Sequence, residues 1–284
     1  MSFSPASLQG SKADDVFVID ENQNRKMLLR SLMYYDLQER KKGLEPSWIA
    51  INRNIGARLQ DGPSCGLVGL RMAVESLGFT CTQSMNEILD VAKSLKYTNK
   101  GEMFLASNLA SLGERLFPEF EFTVQQFPSS RECVDLILDG CVLLVPYDCA
   151  GNHTPGLFKG SKAHWTVIKG FISSITEEGK DCISENIVEF NEDSWKVYFH
   201  DLVNNILVPD SIKKFSFDET NLLVIGQQGK SKNQSVWTFK ELHESNLNLV
   251  DAVNGRYTDL LLPPNLDGLR DKIIIIKKKE SNNL

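Results

Sequence analysis

The hydrophobic residues in the first half of the chain recur at helical spacing. After Gly66 the apolar residues Leu67, Leu70, Val74 and Leu77 follow the three- and four-residue steps of one helix face. Gly78 then predicts the end of this helix, since glycine readily adopts the left-handed conformation that closes many helices. The same spacing predicts four further helices, at residues 27–38, 85–95, 103–117 and 131–138.

The pattern changes after Gly140 to continuous apolar runs of strand length. There are five such runs: "CVLLVPY" from Cys141, "HWTVIKGF" from His164, "WKVYFHDL" from Trp195, "NLLVIGQ" from Asn221 and "KIIIIK" from Lys272. Thr238, followed three residues later by Glu241, forms a capping box and predicts a late helix over "FKELHESN". A helical front half followed by a strand-rich back half is typical of an α+β fold.

We expect one large domain. Residues 1–25 are predicted to be a flexible leader, and residues 26–284 a single domain. Within it, residues from about 172 to 220 are polar and aperiodic, and they predict an irregular insertion. The closing "KKKESNNL" is expected to be a solvated tail.

Composition and charge exclude several functional classes. The 31 Lys and Arg against 37 Asp and Glu give a net charge of −6, which argues against nucleic acid or an anionic membrane as partner. No apolar run could span a bilayer, and the N-terminus lacks the features of a signal peptide. A cytoplasmic protein is expected, with six free cysteines and no C-x-x-C pair, so we predict no metal site and no cofactor.

Two nucleophiles stand side by side in "QDGPSCGLVGL". Gly62 to Gly66 fit the G-x-S-x-G pattern of a serine hydrolase, with Ser64 as nucleophile. That turn needs a buried strand directly before it, whereas the preceding "NRNIGARLQD" does not have the pattern of a strand. The triad order would also need a late histidine, and His243 lies within a predicted helix. The serine hypothesis is therefore disfavoured.

Cys65 suits a cysteine hydrolase better. A thiol at the first turn of a helix has its pKa lowered by the unpaired backbone N–H groups and the helix dipole. Gly66 leaves space beside the sulfur. The alternative, a buried structural cysteine at a helix start, fits this local pattern equally well.

A partner histidine favours the catalytic interpretation. Of the four histidines, His153 is in a loop, His200 ends a strand of the insertion and His243 is helical, whereas His164 begins an apolar strand beside Trp165. We therefore predict a thiolate–imidazolium pair of Cys65 with His164. The alternative is a histidine that merely caps a strand at the sheet edge.

The third member of such a site is less determined. A Cys–His pair usually has an orienting Asn or Asp, and here the next strand ends in Gln227 and Gln228, with Ser231 nearby. An amide oxygen can accept the imidazole N–H. Asp181 and Asn191, in the insertion, stay as alternatives.

Four stretches of the chain resemble the actin maturation proteases, papain-like cysteine peptidases distantly similar to the bacteriocin-leader peptidases. They are "LQDGPSCGLVGLRMA", "KGEMF", "AHWTVIKGF" and "GQQGKSKNQSVWTFKELHESNLNL", which begin at Leu59, Lys100, Ala163 and Gly226. The resemblance implies a papain-like fold with a helical N-terminal half and an antiparallel-sheet C-terminal half. It also implies an aminopeptidase that removes an N-acetylated Met or Cys from immature actin.

Roles carry over from the family by motif. The resemblance makes Cys65 the nucleophile, His164 the base, Gln60 the oxyanion donor and Gln228 the third member. Some relatives have a proline-rich N-terminal segment suited to docking profilin, and the resemblance therefore makes profilin a possible partner. This leader contains only Pro5, which puts profilin-assisted recruitment in doubt. Residues 172–220 match no part of the family pattern.

An actin substrate implies a cationic cleft, because the actin N-terminus is strongly acidic just after the removed residue. The candidate substrate-binding residues flank the predicted catalytic positions: Lys159, Lys162, Trp165, Lys230 and Lys232. The insertion or the loop from Cys149 to Ala163 is expected to close one end of the cleft. The rival hypotheses are a cysteine peptidase acting on another protein terminus and a catalytically inactive papain-like binding module.

Overall fold

The computed structural model of the chain describes residues 14–18, 20–43, 47–175, 188–192, 195–202, 217–251 and 259–280. Its α-helices are α1 (Glu21–Lys41), α2 (Cys65–Ser76), α3 (Met85–Ser94), α4 (Ala106–Leu116), α5 (Ser130–Leu138) and α6 (Phe239–Leu247). The strands of the front half are β1 (Ser47–Asn52) and β2 (Phe120–Gln125). Those of the back half are β3 (Val142–Cys149), β4 (Pro155–Gly156), β5 (Ala163–Ile175), β6 (Val188–Glu192), β7 (Trp195–Asp201), β8 (Leu223–Gln228), β9 (Ser235–Thr238) and β10 (Ile273–Lys278).

These strands form one sheet, with the main order β2-β10-β3-β5-β1-β7-β6. The hairpin of β8 and β9 joins the sheet through pairing of β8 with β5. The α+β class predicted from the sequence is confirmed. The strands of the back half pair with one another antiparallel, as expected. The front half also contributes β1 and β2, and the whole sheet is mixed because β1 runs parallel to β7.

Helices cover both faces of the sheet. On one face α2, α3 and α4 pack against side chains such as Leu144 and Trp165. On the other, α5 and α6 pack against a second apolar cluster that includes Leu143 and Tyr147. The sheet separates these two clusters, and neighbouring residues of β5 point into different ones, as the alternation of side chains along a strand requires. A third apolar cluster contains Leu28 and Leu32 of α1 together with Trp48 of β1.

The flexible leader predicted for residues 1–25 differs from the structure at its C-terminal end. Helix α1 begins at Glu21, where the Asp20 side chain accepts a hydrogen bond from Gln23 N. Further upstream, Asp14 pairs with Arg71 and accepts the backbone N–H of Met85. A buried arginine on α2 therefore fixes this segment, while residues 1–13 lie outside the described part.

The irregular insertion predicted for residues 172–220 also contains regular structure. Strand β5 continues to Ile175, and β6 and β7 form an antiparallel hairpin at the edge of the sheet. Residues 176–187, 193–194 and 203–216 lie outside the described part. No helix in the described ranges is long and apolar enough to cross a membrane.

Lys169 lies at an irregularity of β5, where the register with β8 shifts between Ile168 and Gly170. Its side chain is buried, with 2% exposure. Burial lowers the pKa of Lys169 to about 7, against the opposing effect of the Asp201 charge. The core therefore contains a lysine that changes its protonation state near pH 7.

Candidate active site

Cys65 is the first residue of α2. The residue before it, Ser64, makes no side-chain cap to the helix, and its hydroxyl donates instead to Asp61 O at 2.8 Å. No side chain of Ser64 therefore competes for the first N–H groups of α2. The Ser64 hydroxyl is itself occupied and nearly buried, which argues against a serine nucleophile.

The Cys65 sulfur lies beside β5. Burial raises the pKa of the thiol, and this effect exceeds the opposing hydrogen bonds from the backbone N–H groups of Trp165 and Gly66 and the charge of Lys230. The bond from Trp165 brings Cys65 to the residue that follows His164. The helix start and the strand therefore bring the predicted nucleophile and base together.

His164 pairs with Gln228 across the two strands β5 and β8. Its Nε2 lies 2.8 Å from Gln228 Oε1, and both side chains are at most 2% exposed. Because the amide oxygen can only accept, Nε2 carries the proton and donates it. The other ring nitrogen, Nδ1, is then the one that can accept the thiol proton.

The electrostatics of the resting pair differ from the sequence-based prediction. Burial lowers the pKa of His164 to about 3, and the charge of Lys230 adds to this against the hydrogen bond to Gln228. With the thiol pKa raised and the imidazole pKa lowered, the resting groups are neutral. The predicted lowering of the Cys65 pKa was wrong, because desolvation outweighs the helix N-terminus here.

Cys65 and His164 line a cleft of about 620 Å³. The loop before His164 contributes residues 160–163, and Cys149 at the end of β3 adds a second thiol. The other lining residues are Gln60, Gly62, Pro63, Lys100, Glu102, Met103, Phe104, Trp165, Lys230, Asp259, Leu260, Leu262 and Leu269. The described residues of the predicted insertion do not line it.

Gln60 is held beside the cysteine by two backbone contacts. Its N–H donates to Gly229 O at 2.7 Å, and its side-chain Nε2 donates to Gly62 O at 2.7 Å. A primary amide has two N–H groups, so one remains for a ligand in the cleft. Gly229 directly follows Gln228, so two consecutive residues at the end of β8 contact Gln60 and His164.

The four predicted substrate-binding lysines do not share one location. Lys162 and Lys230 line the cleft, with the Lys162 Nζ 4.0 Å from the centroid of the Phe158 ring. Lys159 lies outside the lining, and its backbone N–H donates to Asn248. The Lys232 Nζ lies 3.6 Å from the centre of the Phe17 ring, also outside. Trp165 lines the cleft, but its indole N–H is bound to Met103 O.

The alternative candidates occupy other places. Among the orienting residues, the Gln227 side chain donates to Ser231 O, β6 with Asn191 is separated from β5 by two strands, and Asp181 lies outside the described residues. Among the histidines, His243 stacks on Phe127, His200 is in β7, and His153 lies beside Cys149 with a sulfur to Nδ1 distance of 3.9 Å. None of these alternatives contacts His164 through a described hydrogen bond.

Two buried carboxylates near the cleft were not predicted as site residues from the sequence, although Glu102 lies in the family-like stretch "KGEMF". Asp148, fully buried at the end of β3, accepts the backbone N–H groups of Phe158, Gly160 and Lys162. Glu102 accepts three other backbone N–H groups, those of Asn99, Lys100 and Leu261. Each carboxylate fixes a loop that lines the cleft, and a polar residue within an apolar run such as "VLLVPYDC" is the one pattern that could have indicated Asp148.

No group of three or more His, Cys, Asp or Glu that could hold a metal ion occurs in the described ranges. The chemistry that these residues offer is nucleophilic attack by a thiol, with a neighbouring imidazole as proton acceptor. The cleft supplies an apolar surface from Met103, Phe104 and three leucines. It also supplies positive charges on Lys162 and Lys230, beside the paired Lys100.

Comparison with known proteins gives one consistent result. Residues 55–172 match the family model "Actin maturation protease-like, C-terminal domain". The chain is 32% identical over 215 residues to the actin maturation protease of Mus musculus, covering 75% of this chain and 58% of that protein. It is 31% identical over 240 residues to that of Danio rerio, covering 81% and 74%. The protein of the same name from Homo sapiens is 28% identical over 216 residues.

Proposed function

This chain belongs to the actin maturation protease family, and we propose that it is a cysteine aminopeptidase that removes an N-acetylated Met or Cys from the N-terminus of immature actin. The observation that carries the proposal is the placement of Cys65 and of the His164–Gln228 pair in one cleft. The names of the mouse and zebrafish relatives support a peptidase that acts on actin.

The neutral resting pair fits attack coupled to proton transfer. As Cys65 Sγ bonds to the carbonyl carbon of the acetylated residue, its proton passes to His164 Nδ1, while Gln228 keeps the ring oriented. The carbonyl oxygen gains negative charge, which the backbone N–H of Cys65 and the second side-chain N–H of Gln60 stabilise.

The intermediate then breaks its carbon–nitrogen bond. His164 gives its proton to the leaving nitrogen, which becomes the new N-terminus of actin, and the acetylated residue stays on Cys65 as a thioester. Water deprotonated by His164 hydrolyses this thioester, releases the acetylated amino acid and restores the thiol. The step needs no metal and no cofactor.

The chemistry of the cleft suits both sides of the proposed cleavage point. An acetylated Met or Cys carries no charge, and the apolar side chains of the cleft provide it with a matching surface. The acidic residues that follow would meet Lys230, whose charge acts directly on Cys65 and His164. The five described cysteines are free thiols, which supports a reducing cytoplasmic compartment. Profilin is not needed for any of these steps.

The test is intact-mass measurement of acetylated, unprocessed actin incubated with the purified protein. We expect a mass loss equal to one acetylated Met or Cys residue. Cys65→Ala should abolish this loss, whereas the neighbouring Ser64→Ala, which removes only the bond to Asp61 O, should keep most of it. Activity that survives in Cys65→Ala but is lost in Ser64→Ala would overturn the proposal in favour of a serine hydrolase.

A further inference from the structure

Glu102 is a buried carboxylate at the edge of the cleft, 3% exposed. Its Oε1 accepts the backbone N–H groups of Leu261 at 2.7 Å and Asn99 at 2.8 Å, and its Oε2 accepts that of Lys100 at 2.8 Å. Burial works to raise the pKa of Glu102, but these N–H groups together hold it below its ordinary value. An ionised side chain therefore joins two segments that are about 160 residues apart.

A second link joins the same two segments at the surface. Lys100 Nζ lies 2.8 Å from Asp259 Oδ2, and the Asn99 side chain donates to Asp259 O at 3.2 Å. We call residues 99–104 and 259–262, held together in this way, the end wall. Seven of its residues line the cleft: Lys100, Glu102, Met103, Phe104, Asp259, Leu260 and Leu262.

The end wall and the oxyanion side of the cleft lie on opposite sides of α2. A Cβ on Gly66 would lie 3.0 Å from the Met103 side chain, so the end wall packs closely against this glycine. A Cβ on Gly229 would lie 3.1 Å from Gln60 Oε1 and 3.3 Å from the Val68 side chain. Gly66 and Val68 are two residues apart, which is about 200° around a helix. Cys65 therefore lies between the end wall and the Gln60–Gly229 side.

The two sides differ in charge. On the end wall, Lys100 is paired with Asp259 and Glu102 is satisfied by backbone N–H groups, so the surface offered there is mainly Met103, Phe104 and leucines. On the other side, Lys230 follows Gly229 and has no ion pair within the described part of the chain. This distribution of charge suits a substrate whose uncharged acetylated residue lies at the end wall and whose following acidic residues lie near Lys230.

We propose that the end wall limits the substrate to a single residue on the acyl side of the cleaved bond, and that Glu102 and the Lys100–Asp259 pair determine this specificity by holding the wall in place. The inference rests on the proposed peptidase function and deepens it. A substrate with one more residue before the cleaved bond would have to displace residues 259–262, which would separate the Leu261 N–H from Glu102. A buried carboxylate that loses such a partner is strongly disfavoured.

The test compares two peptides that share an acidic sequence: acetyl-Met-Asp-Asp-Asp and acetyl-Ala-Met-Asp-Asp-Asp. Mass spectrometry identifies the cleaved bond, and kcat/KM is measured for each peptide. The wild-type protein should cleave the longer peptide after Met at least about a hundredfold more slowly than the shorter one. Glu102→Gln keeps one acceptor oxygen, but its amide N–H groups face a backbone N–H that the carboxylate had bound. We expect this variant to raise the ratio of kcat/KM for the longer peptide to that for the shorter peptide by about tenfold.

Lys100→Ala is the second variant, because the Lys100–Asp259 ion pair is exposed and its removal leaves no buried group without a partner. It should raise the same kcat/KM ratio by a smaller factor. Lys240→Ala, from an exposed pair with Glu244 on α6, is the matched control and should leave the ratio unchanged. A purely structural role would lower cleavage of both peptides and leave the ratio as it was, which would overturn the inference. Equal cleavage of both peptides by the wild type would also overturn it while leaving the peptidase function intact, whereas cleavage of neither would overturn both.

Discussion

His164 Nε2 and Gln228 Oε1 lie 2.8 Å apart, in a site where both side chains are almost completely buried. The contact fixes the tautomer and the plane of the imidazole. Gln228 binds Nε2 and thereby also sets the direction of Nδ1, the nitrogen on the other side of the ring. The group that orients the imidazole is thus an amide rather than a carboxylate. An amide adds no charge to a site whose resting groups are neutral.

Replacement of Gln228 should therefore reduce turnover and leave substrate affinity nearly unchanged. A misplaced catalytic group can cost about a hundredfold in rate, and we expect Gln228→Ala to lower kcat by about that factor. The matched control is Gln227→Ala, whose side chain binds Ser231 O instead. Steady-state kinetics on an acetylated acidic peptide distinguish them, and equal losses in the two variants would contradict the assigned role.

Alkylation of Cys65 should be slow at mildly acidic pH and accelerate toward alkaline pH, because burial raises the pKa of the thiol. Lys230→Ala should slow alkylation further at any one pH, since the lysine charge favours the thiolate. Iodoacetamide labelling followed by peptide mapping measures this. Cys133, whose pKa burial raises to about 12, is the internal control. Rapid labelling of Cys65 that does not change between pH 5 and 7 would instead indicate a thiolate–imidazolium pair.

Loss of the Gln60 side chain should lower the rate of the chemical step. Removal of one oxyanion donor costs about a hundredfold to a thousandfold in kcat, and we expect Gln60→Ala to fall in this range with little change in KM. The backbone bond from Gln60 to Gly229 persists in the variant, so the fold should be retained by circular dichroism. A normal kcat would remove Gln60 from the oxyanion site.

Lys230 and Lys232 allow a controlled test of whether the cleft binds an acidic substrate by charge. Of the two, Lys230 lines the cleft, whereas Lys232 lies over the Phe17 ring. One ion pair near 4 Å in water is worth about 1 kcal/mol, or about fivefold in affinity. We expect Lys230→Ala to raise KM for an acidic peptide by about this factor, and for a neutral analogue hardly at all. Lys232→Ala should change neither. An acidic-peptide KM that does not rise with salt in the wild type would contradict the electrostatic role.

Lys169 should make stability depend on pH above neutrality. Its pKa is lowered from the ordinary 10.5 to about 7 in the folded chain, so between these values the unfolded chain holds one more proton. The free energy of unfolding therefore rises with pH between about 7 and 10.5, by up to about 1.4 kcal/mol per pH unit. This gain in stability disappears as the pH is lowered back to 7. Urea unfolding of Lys169→Met should show a flatter pH dependence and greater stability at pH 7. Exposed Lys240→Met is the control, and identical slopes for wild type and Lys169→Met would contradict this prediction.

Helix positions were well predicted from the sequence because their signals are local. The start of α2 at Cys65 and the capping box at Thr238 depend on residues within one or two turns. Strand β1 was missed, although "SWIAIN" is an apolar run, because nothing in its neighbourhood distinguishes a strand between β5 and β7 from a connecting segment. Its six residues are all buried, and only the distant partners β5 and β7 explain this.

The candidate site was predictable where a motif carried it and not where long-range contacts decided the geometry. Cys65, His164, Gln60 and Gln228 stand in recognisable stretches, and the structure brings all four to one place. Lys159 and Lys232 are only two or three residues further along the chain from His164 and Gln228 than Lys162 and Lys230 are, yet they do not line the cleft, because the direction of a loop side chain depends on its tertiary neighbours. The residues around Leu261 had no motif, since contacts with the distant residues Lys100 and Glu102 hold them at the cleft.

Strand β5 carries His164 and Trp165 as consecutive residues: His164 is bonded to Gln228, and Trp165 packs into the apolar cluster that contains α2. The proposed catalytic base, His164, cannot change position unless the indole next to it in the strand also moves within a close-packed interior. Warming should therefore not distort the geometry of this site gradually. The protein should keep its full rate acceleration up to the temperature at which the whole domain melts, so that heat inactivation and cooperative unfolding share one midpoint.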